Sequence, residues 1–310
     1  MSRGRIDERA RGVFVISATP FAAGGALDLD SVDRLMDFYL ARRVHGVTLL
    51  GIMGEAPKLT PEESRAVVRR ALARVGGGVP VVVGVSNPNL HTLASLANDV
   101  MAAGAAGVMV APAPGLVGDD AVIAYVESVV GALDRGTPLV YQDYPQATGV
   151  TLTVDIFQRL VDAFPQLVML KHEDCPGLTK LARIRAEERR AGRRRVSILV
   201  GNNALYYPQE LARGADGAMT GFSYPEMLVE VYERFTAGDA DGAEDVFDAY
   251  LPLLRYEAQP GVGLAVRKEL LFRRGAIASP TVRAPGPTLA LDDQRELDRL
   301  VARLERRLKG

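Results

Sequence analysis

Short apolar segments alternate with longer amphipathic segments along most of the chain. The apolar segments are rich in valine, leucine and isoleucine and alternate little with polar residues. This pattern is typical of parallel strands that are buried on both faces. We predict strands at residues 13–18, 47–50, 81–85, 108–111, 139–141, 168–171, 198–200 and 218–220.

Each predicted strand is followed by a segment with helical periodicity. In residues 61–75 the start is also marked, because Thr60, Pro61 and Glu63 form the sequence pattern of a capping box. We predict helices at residues 30–42, 61–75, 89–103, 120–133, 154–164, 178–191, 206–213 and 225–237.

Eight strand–helix units predict an α/β fold, a (β/α)₈ TIM barrel, over residues 1–238. The alternative is an open doubly wound sheet, but no Gly-x-Gly-x-x-Gly follows the first predicted strand. Residues 239–310 form the predicted C-terminal helical extension, with helices at 239–254, 262–274 and 292–308. The proline-rich segment 279–287 is a loop, and we expect the extension to pack on the barrel.

Composition and charge narrow the function classes. The 310 residues carry a net charge of −1, so a general nucleic-acid-binding surface is not expected. The single cysteine, Cys175, excludes a disulfide framework and fits a reducing compartment. The start of the chain lacks an apolar signal segment, and no apolar run has the length of a membrane span. We therefore expect a cytoplasmic protein without a membrane partner.

Lys171 is the first candidate for catalysis. TIM-barrel enzymes place their sites at the C-terminal ends of the strands, and Lys171 ends the sixth predicted strand. Partial desolvation disfavours an ammonium ion, and a neutral amine can attack a ketone to form a Schiff base. The alternative is a structural lysine that pairs with Glu173 or Asp174.

The turn after the second predicted strand is the candidate for binding a substrate carboxylate. Gly51, Ile52, Met53 and Gly54 form a turn with a glycine at each end. Such turns expose backbone N–H groups that can hold an anion. The alternative is an ordinary connection between a strand and a helix.

Several motifs occur in chain order at the predicted strand ends. They are "ATPF" at residues 18–21, "LGIMGE" at 50–55, "YQDYPQATG" at 141–149, Lys171, and "GNN" at 201–203. With these motifs the chain resembles the dihydrodipicolinate synthase and N-acetylneuraminate lyase family of class I, Schiff-base aldolases. The resemblance implies that Lys171 binds a 2-oxo acid as a Schiff base, that Gly201 lies in the substrate site, and that the protein is a homo-oligomer, a dimer or a tetramer.

The sequence departs from the family pattern at three places. Ile52 and Met53 replace two threonines, and residues 111–114, "APAP", replace a Thr-Pro-Tyr-Tyr stretch that lends a tyrosine to a neighbouring subunit. By resemblance, the proton relay of the synthases cannot form. Ala147 replaces the arginine that holds the aldehyde substrate's carboxylate in the synthases. These changes argue against the synthase activity and favour a sugar-acid aldolase or dehydratase.

The position of the family tyrosine on the fifth predicted strand is ambiguous. The family has two residues between tyrosine and proline, whereas Tyr141 and Pro145 are separated by three. An ungapped alignment places Gln142 at the tyrosine position, and a one-residue bulge restores Tyr141. We favour Tyr141 as the proton-transfer residue, because a phenol can move a proton and an amide cannot. Tyr141 as a core aromatic residue is the alternative.

Two residues complete the predicted site. Met219 ends the eighth predicted strand and is expected to line the pocket floor, and Glu55 is expected to be buried behind the glycine turn, bonded to backbone. No metal site is predicted, because the three histidines lack a metal-ligand spacing.

The predicted function is that of a class I lyase. It acts on pyruvate or a 2-keto-3-deoxy acid by aldol cleavage, addition or dehydration. No cofactor is expected, because the imine itself is the electron sink. The alternatives are 4-hydroxy-tetrahydrodipicolinate synthase and a degraded barrel that only binds a 2-oxo acid.

Overall fold

Every strand predicted from the apolar segments is present in the computed structural model, which describes residues 4–309. The strands are parallel and form a closed barrel in chain order, with the last strand paired to the first. This confirms the predicted (β/α)₈ barrel. The strands are β1 (Gly12–Ile16), β2 (Gly46–Leu49), β3 (Val81–Gly84), β4 (Gly107–Val110), β5 (Leu139–Asp143), β6 (Leu167–His172), β7 (Ser197–Val200) and β8 (Gly217–Thr220).

The helices also follow the predicted segments, with ends that differ by a few residues. The capping box is present: the Glu63 amide donates to Thr60 Oγ1 at 3.2 Å, and the Thr60 amide donates to Glu63 Oε2 at 3.0 Å. The barrel helices are α1 (Leu29–Ala41), α2 (Pro61–Val75), α3 (Leu90–Ala102), α4 (Asp119–Ala132), α5 (Pro145–Thr148), α6 (Val154–Ala163), α7 (Leu178–Ala191), α8 (Tyr207–Ala212) and α9 (Pro225–Thr236). The one-turn helix α5 and short 3-10 turns at Ile52–Gly54, Ala56–Lys58 and Asn202–Ala204 were not predicted.

Two hydrophobic layers surround the strands. A large outer layer lies between the strands and the helices, and a smaller one fills the barrel. Because side chains alternate along a strand, neighbouring residues enter different layers, except Val168 and Met169 of β6, which both lie in the inner layer. The strand residues of the inner layer are Phe14, Ile16, Val82, Met109, Val140, Val168, Met169, Leu199 and Met219.

Three further helices follow the barrel: α10 (Ala240–Glu257), α11 (Gly263–Arg273) and α12 (Leu291–Arg307). Helix α10 packs on α9 and α12, and α11 places Arg267 and Lys268 in fully buried positions. The chain after α11 returns to the loop that follows β2, where Lys58 Nζ donates to the Arg283 carbonyl at 2.7 Å. The division of the chain at residue 238 stays a prediction.

Between residues 4 and 309, no helix has both the length and the apolar character that crossing a bilayer requires.

Candidate active site

Lys171 lies inside the C-terminal mouth of the barrel. Its strand β6 places it opposite Gln142 of β5 on one side and Leu199 of β7 on the other. The side chain is 5% exposed, and its Nζ lies 2.8 Å from Glu173 Oε1. A lysine in this position has a carboxylate as its immediate ionic partner and only limited contact with solvent.

Glu173 is held over Lys171 by backbone and side-chain contacts. Its amide donates to the Asp143 carbonyl at 2.9 Å, and its Oε1 also accepts from Gln142 Nε2 at 2.6 Å. The side chain lies against Gly201, where an added Cβ would be 2.1 Å from Glu173 Cγ. Position 201 therefore has to be glycine for the carboxylate to reach Lys171.

The sequence suggested Glu173 as an ion-pair partner of a structural Lys171, which the observed contact matches, but not as a site residue, because carboxylates in turns are usually solvated. The signal for it was its place two residues after Lys171 together with the glycine at position 201.

The two candidate residues of β5 point in opposite directions. Tyr141 lies in the outer layer, and within the described residues its hydroxyl has no hydrogen-bond partner. Burial raises the pKa of the Tyr141 hydroxyl. Gln142 points into the mouth and contacts Glu173. The orientation does not support our preference for Tyr141 as the proton-transfer residue.

The physical reason is the location of the strand irregularity. The register pairs Leu139 with Leu167 and Val140 with Met169, so the extra residue, Val168, is in β6 rather than in β5. No bulge in β5 shifts Tyr141 inward, and Gln142 therefore stands opposite Lys171.

A second polar group supports the strand ends from the outer side. Lys180 Nζ of α7 donates to Asp143 Oδ2 at 2.6 Å, and His172 Nδ1 lies 3.3 Å from the same oxygen. His172 Nε2 lies 3.0 Å from the Gly177 carbonyl oxygen. Because side chains alternate along β6, His172 faces away from the mouth, and these residues fix the ends of β5 and β6 behind the site.

The glycine turn after β2 has an unusual backbone. Leu50 and Glu55, which flank it, have φ angles of 55° and 54°, in the left-handed region that non-glycine residues rarely adopt. Between them, Ile52–Gly54 form a 3-10 turn, and Thr19 Oγ1 donates to the Gly54 carbonyl at 2.5 Å. The first residues of such a turn have N–H groups without partners inside the turn, so they are available to an anion.

The predicted binding residues are distributed around the mouth. Ile52 is 49% exposed, whereas Met53 packs against the inner layer. Met219 is fully buried in that layer, below the mouth. Gly51 precedes the 3-10 turn and is buried.

A cavity of about 550 Å³ lies beside the mouth. It extends from the glycine turn, with Ile52, to the loop after β3, with Ser86 and Asn87, and it includes Gln142 and His91. Its volume lies within the range of small-molecule sites. The cavity therefore offers space beside Gln142 for a ligand larger than pyruvate.

The sequence profile of the dihydrodipicolinate synthetase family matches residues 9–304. The chain is 31% identical over 301 residues to the L-2-keto-3-deoxyarabonate dehydratase of Azospirillum brasilense, covering 96% of this chain and 95% of that protein.

The solved structures that are similar to this chain include two from bacteria. A structure described as dihydrodipicolinate synthase from Rhodopseudomonas palustris is 44% identical, with a TM-score of 0.94 over 97% of this chain and 99% of that one. YagE from E. coli K12, a prophage protein of the dihydrodipicolinic acid synthase family solved in complex with pyruvate, is 25% identical, with a TM-score of 0.86 over 95% and 98%.

The profile match, the barrel and the ordered motifs agree. The chain belongs to the dihydrodipicolinate synthetase family and is a lyase of its aldolase and dehydratase type.

Proposed function

We propose that the protein is a class I lyase that binds a 2-oxo acid as an imine on Lys171. The observation that carries the proposal is the buried contact between Lys171 Nζ and Glu173 Oε1 at the mouth of the barrel. A partner carboxylate at 2.8 Å can accept a proton from the ammonium ion, which leaves the amine able to react.

The imine forms without a redox change. Lys171 Nζ bonds to C2 of the substrate, and the carbonyl oxygen leaves as water with the protons of the amine and of a nearby acid. Glu173, once it has accepted the proton of Lys171, is the nearest such acid. The protonated imine then withdraws electrons from C3.

Glu173 also serves the second half of the reaction. As a carboxylate it removes a proton from C3, and the electron pair of the C–H bond moves toward the imine to give an enamine. Reversal of this electron flow expels the C4 hydroxyl, which leaves as water with the proton from Glu173. Hydrolysis of the product imine releases the dehydrated 2-oxo acid and regenerates Lys171.

The other mouth residues bind and orient the substrate. The backbone N–H groups of Ile52 and Met53, in the turn Gly51–Gly54, receive the carboxylate of the 2-oxo acid. Gln142 donates to Glu173 at 2.6 Å and keeps it beside Lys171. Gly201 leaves room for Glu173, and Met219 closes the floor of the pocket.

We propose a 2-keto-3-deoxy sugar acid as the substrate and dehydration as the reaction. The relay threonines are replaced by Ile52 and Met53, and the arginine for a second carboxylate is replaced by Ala147. The dehydratase of Azospirillum brasilense supports this substrate class. The second candidate is 4-hydroxy-tetrahydrodipicolinate synthase, which the 44% identity to the Rhodopseudomonas palustris structure favours.

The proposal includes a cytoplasmic homo-oligomer. A single cysteine fits a reducing compartment, and the family resemblance implies a dimer or a tetramer. Sedimentation velocity at several protein concentrations measures the assembly state, and a monomer throughout would contradict this part of the proposal.

Borohydride trapping tests the mechanism. The protein is incubated with pyruvate or with 2-keto-3-deoxy-L-arabonate, reduced and digested, and the peptides are analysed by mass spectrometry. We expect a reduced adduct on Lys171 and none in the variant Lys171→Met. Absence of an adduct with either acid would overturn the Schiff-base proposal and favour a barrel that only binds ligands.

Turnover assays then separate the candidate activities. Consumption of 2-keto-3-deoxy-L-arabonate with formation of a dehydrated 2-oxo product supports the dehydratase. Condensation of pyruvate with aspartate semialdehyde, without that dehydration, would favour the synthase instead.

A further inference from the structure

The turn after β2 is held in a conformation that its own sequence does not favour. Both flanking residues, Leu50 and Glu55, have positive φ angles, although neither is glycine. A left-handed conformation brings Cβ close to the following carbonyl oxygen and persists only where surrounding contacts stabilise it. Glu55 supplies such contacts through its side chain.

The Glu55 carboxylate is buried and fully engaged. Oε1 accepts from Lys268 Nζ at 2.5 Å. Oε2 accepts from Lys58 Nζ at 2.8 Å and from the Arg283 amide at 3.0 Å. The Lys268 side chain is 0% exposed and the Glu55 side chain 1%. Three donors from different parts of the chain thus fix one end of the turn.

Lys268 is itself immobilised by the C-terminal extension. Its Nζ donates to the Thr281 carbonyl at 2.8 Å and lies 4.5 Å from the centre of the Phe21 ring. The preceding residue, Arg267, bonds to Glu257 of α10 and to the carbonyl of Gly221, just after β8. Helix α11 is therefore anchored in both the extension and the barrel.

We propose that Lys268 is a positioning residue for the lyase reaction. Through Glu55 it holds the turn Gly51–Gly54 in the conformation that receives the substrate carboxylate. This inference rests on the proposed function, because that proposal places the carboxylate at the turn. It makes the C-terminal extension a working part of the active site.

The charge state of the pair agrees with this role. Burial lowers the pKa of Lys268 to about 8, while the hydrogen bond that Lys268 donates to Glu55 opposes the shift. An ammonium ion with a pKa near 8 is still mostly protonated at pH 7, so it can donate to Glu55 there. Lys58 and the Arg283 side chain are the other cations that face the pair.

The test compares a ketone that has a carboxylate with one that lacks it. Trapping by borohydride is measured against the concentration of pyruvate and of hydroxyacetone, in which a hydroxymethyl group replaces the carboxylate. For Lys268→Met we expect the pyruvate concentration for half-maximal trapping to rise about tenfold, as for loss of a well-placed charge-assisted contact. The hydroxyacetone concentration for half-maximal trapping should change less than about twofold, because hydroxyacetone has no carboxylate for the turn to bind.

Two further variants make the comparison specific. Glu55→Gln combined with Lys268→Met removes both charges of the buried pair, and Lys58, which is 24% exposed, keeps its hydrogen bond to the Arg283 carbonyl. We expect this double variant to fold even if the single variant does not, and to show the same loss for pyruvate. Arg273→Met is the matched control on α11, since Arg273 is partly exposed and pairs with Glu269 and Asp298. In this variant the half-maximal trapping concentrations of both ketones should equal those of the unaltered protein.

The outcomes separate this inference from the proposed function. If the unaltered protein forms no adduct on Lys171, the proposed function fails and the inference fails with it. If the unaltered protein forms the adduct but Lys268→Met raises the half-maximal trapping concentrations of both ketones by the same factor, Lys268 is only structural and the inference is overturned. The inference is also overturned if the double variant has the same pyruvate concentration for half-maximal trapping as the unaltered protein.

Discussion

Two buried lysine–glutamate pairs lie at the C-terminal end of the barrel, and the surroundings of their carboxylates differ. Glu173 contacts Lys171 and the neutral amide of Gln142, and the Asn202 amide lies 3.4 Å from its second oxygen. Glu55 contacts Lys268, a second ammonium ion and a backbone N–H group. The first pair joins residues two positions apart, and the second joins residues 213 positions apart.

The difference shows that burial of an ion pair does not by itself reveal its role. The Glu55 carboxylate has both oxygens occupied by ammonium and backbone donors and does not contact Lys171. The Glu173 carboxylate contacts Lys171 and a neutral amide at the mouth, where it can exchange a proton with that lysine during the reaction. We therefore assign proton transfer to the Lys171 pair and positioning of the turn Gly51–Gly54 to the Lys268 pair.

The largest expected effect is on turnover in Glu173→Gln. The amide keeps the shape of the side chain but cannot move a proton, so kcat with a 2-keto-3-deoxy acid should fall about 10²–10³-fold. Borohydride should still trap some pyruvate on Lys171. Steady-state kinetics and trapping measure the two effects.

The neighbouring carboxylate provides the control for this prediction. Asp174 pairs with Lys180 on the outer side, at 3.2 Å. Asp174→Asn should lower kcat less than about threefold, because the side chain does not face Lys171. An equal loss in both variants would mean that Glu173 has no special role.

The next effect is on stability. Loss of Lys268 should lower the free energy of unfolding more than loss of Lys171. Lys268→Met leaves the buried Glu55 without its shortest contact, and breaking a buried pair in this way costs about 3 kcal/mol. Lys171→Met also removes an ion-pair partner, but Glu173 keeps the donor Gln142 and lies at the mouth, where water can reach it, so the loss should be smaller, about 1 kcal/mol. Urea denaturation measures both values, and equal losses would contradict the assignment of separate roles.

The fold was predictable because hydrophobic periodicity is local. Strands such as β3 and β6 are apolar runs followed by a helical pattern, and both signals can be read from a few residues. The alternation of side chains along a strand is also local, so the sequence indicates that His172 and its neighbour Lys171 point in opposite directions.

The rest of the site depends on contacts that the sequence does not show. The pairing of Glu55 with Lys268 spans most of the chain, and no local pattern joins them. The inward position of Gln142 depends on Val168 being the extra residue, which is set by the register between β5 and β6. The spacing of Tyr141 and Pro145 differs from the family motif by one residue, but this difference does not show whether the extra residue lies in β5 or in β6.

The orientation of β5 leads to a smaller effect. Gln142→Leu removes the donor to Glu173 Oε1, and kcat/KM should fall about tenfold, which corresponds to one hydrogen bond to a charged group. Tyr141→Phe removes a hydroxyl that has no partner among residues 4–309, so kcat/KM should stay within about twofold. A larger loss in Tyr141→Phe would restore Tyr141 as a proton-transfer candidate.

The smallest expected effect concerns a third buried carboxylate, behind the site. Glu210 of α8 is buried, its Oε2 has no partner within the described part of the chain, and the titratable group that faces it is His172. Burial raises the pKa of Glu210 from 4.5 to about 7. The folded protein therefore holds this proton more tightly than the unfolded chain, and ionisation destabilises the fold progressively as the pH rises from about 4.5 to 7.

Glu210→Gln removes this ionisation. The stability of the variant relative to the wild type should rise by about 2 kcal/mol from pH 5 to pH 8, because only the wild type ionises; any cost of burying the amide is the same at both pH values. Thermal unfolding of both proteins at the two pH values measures the difference. Glu127→Gln, at an exposed position of α4, should show no such gain. If Glu210→Gln is more stable than the wild type by the same amount at pH 5 and pH 8, the gain comes from packing and not from the charge of Glu210. Glu210 would then not differ from the paired Glu55 and Glu173 in the cost of its ionisation.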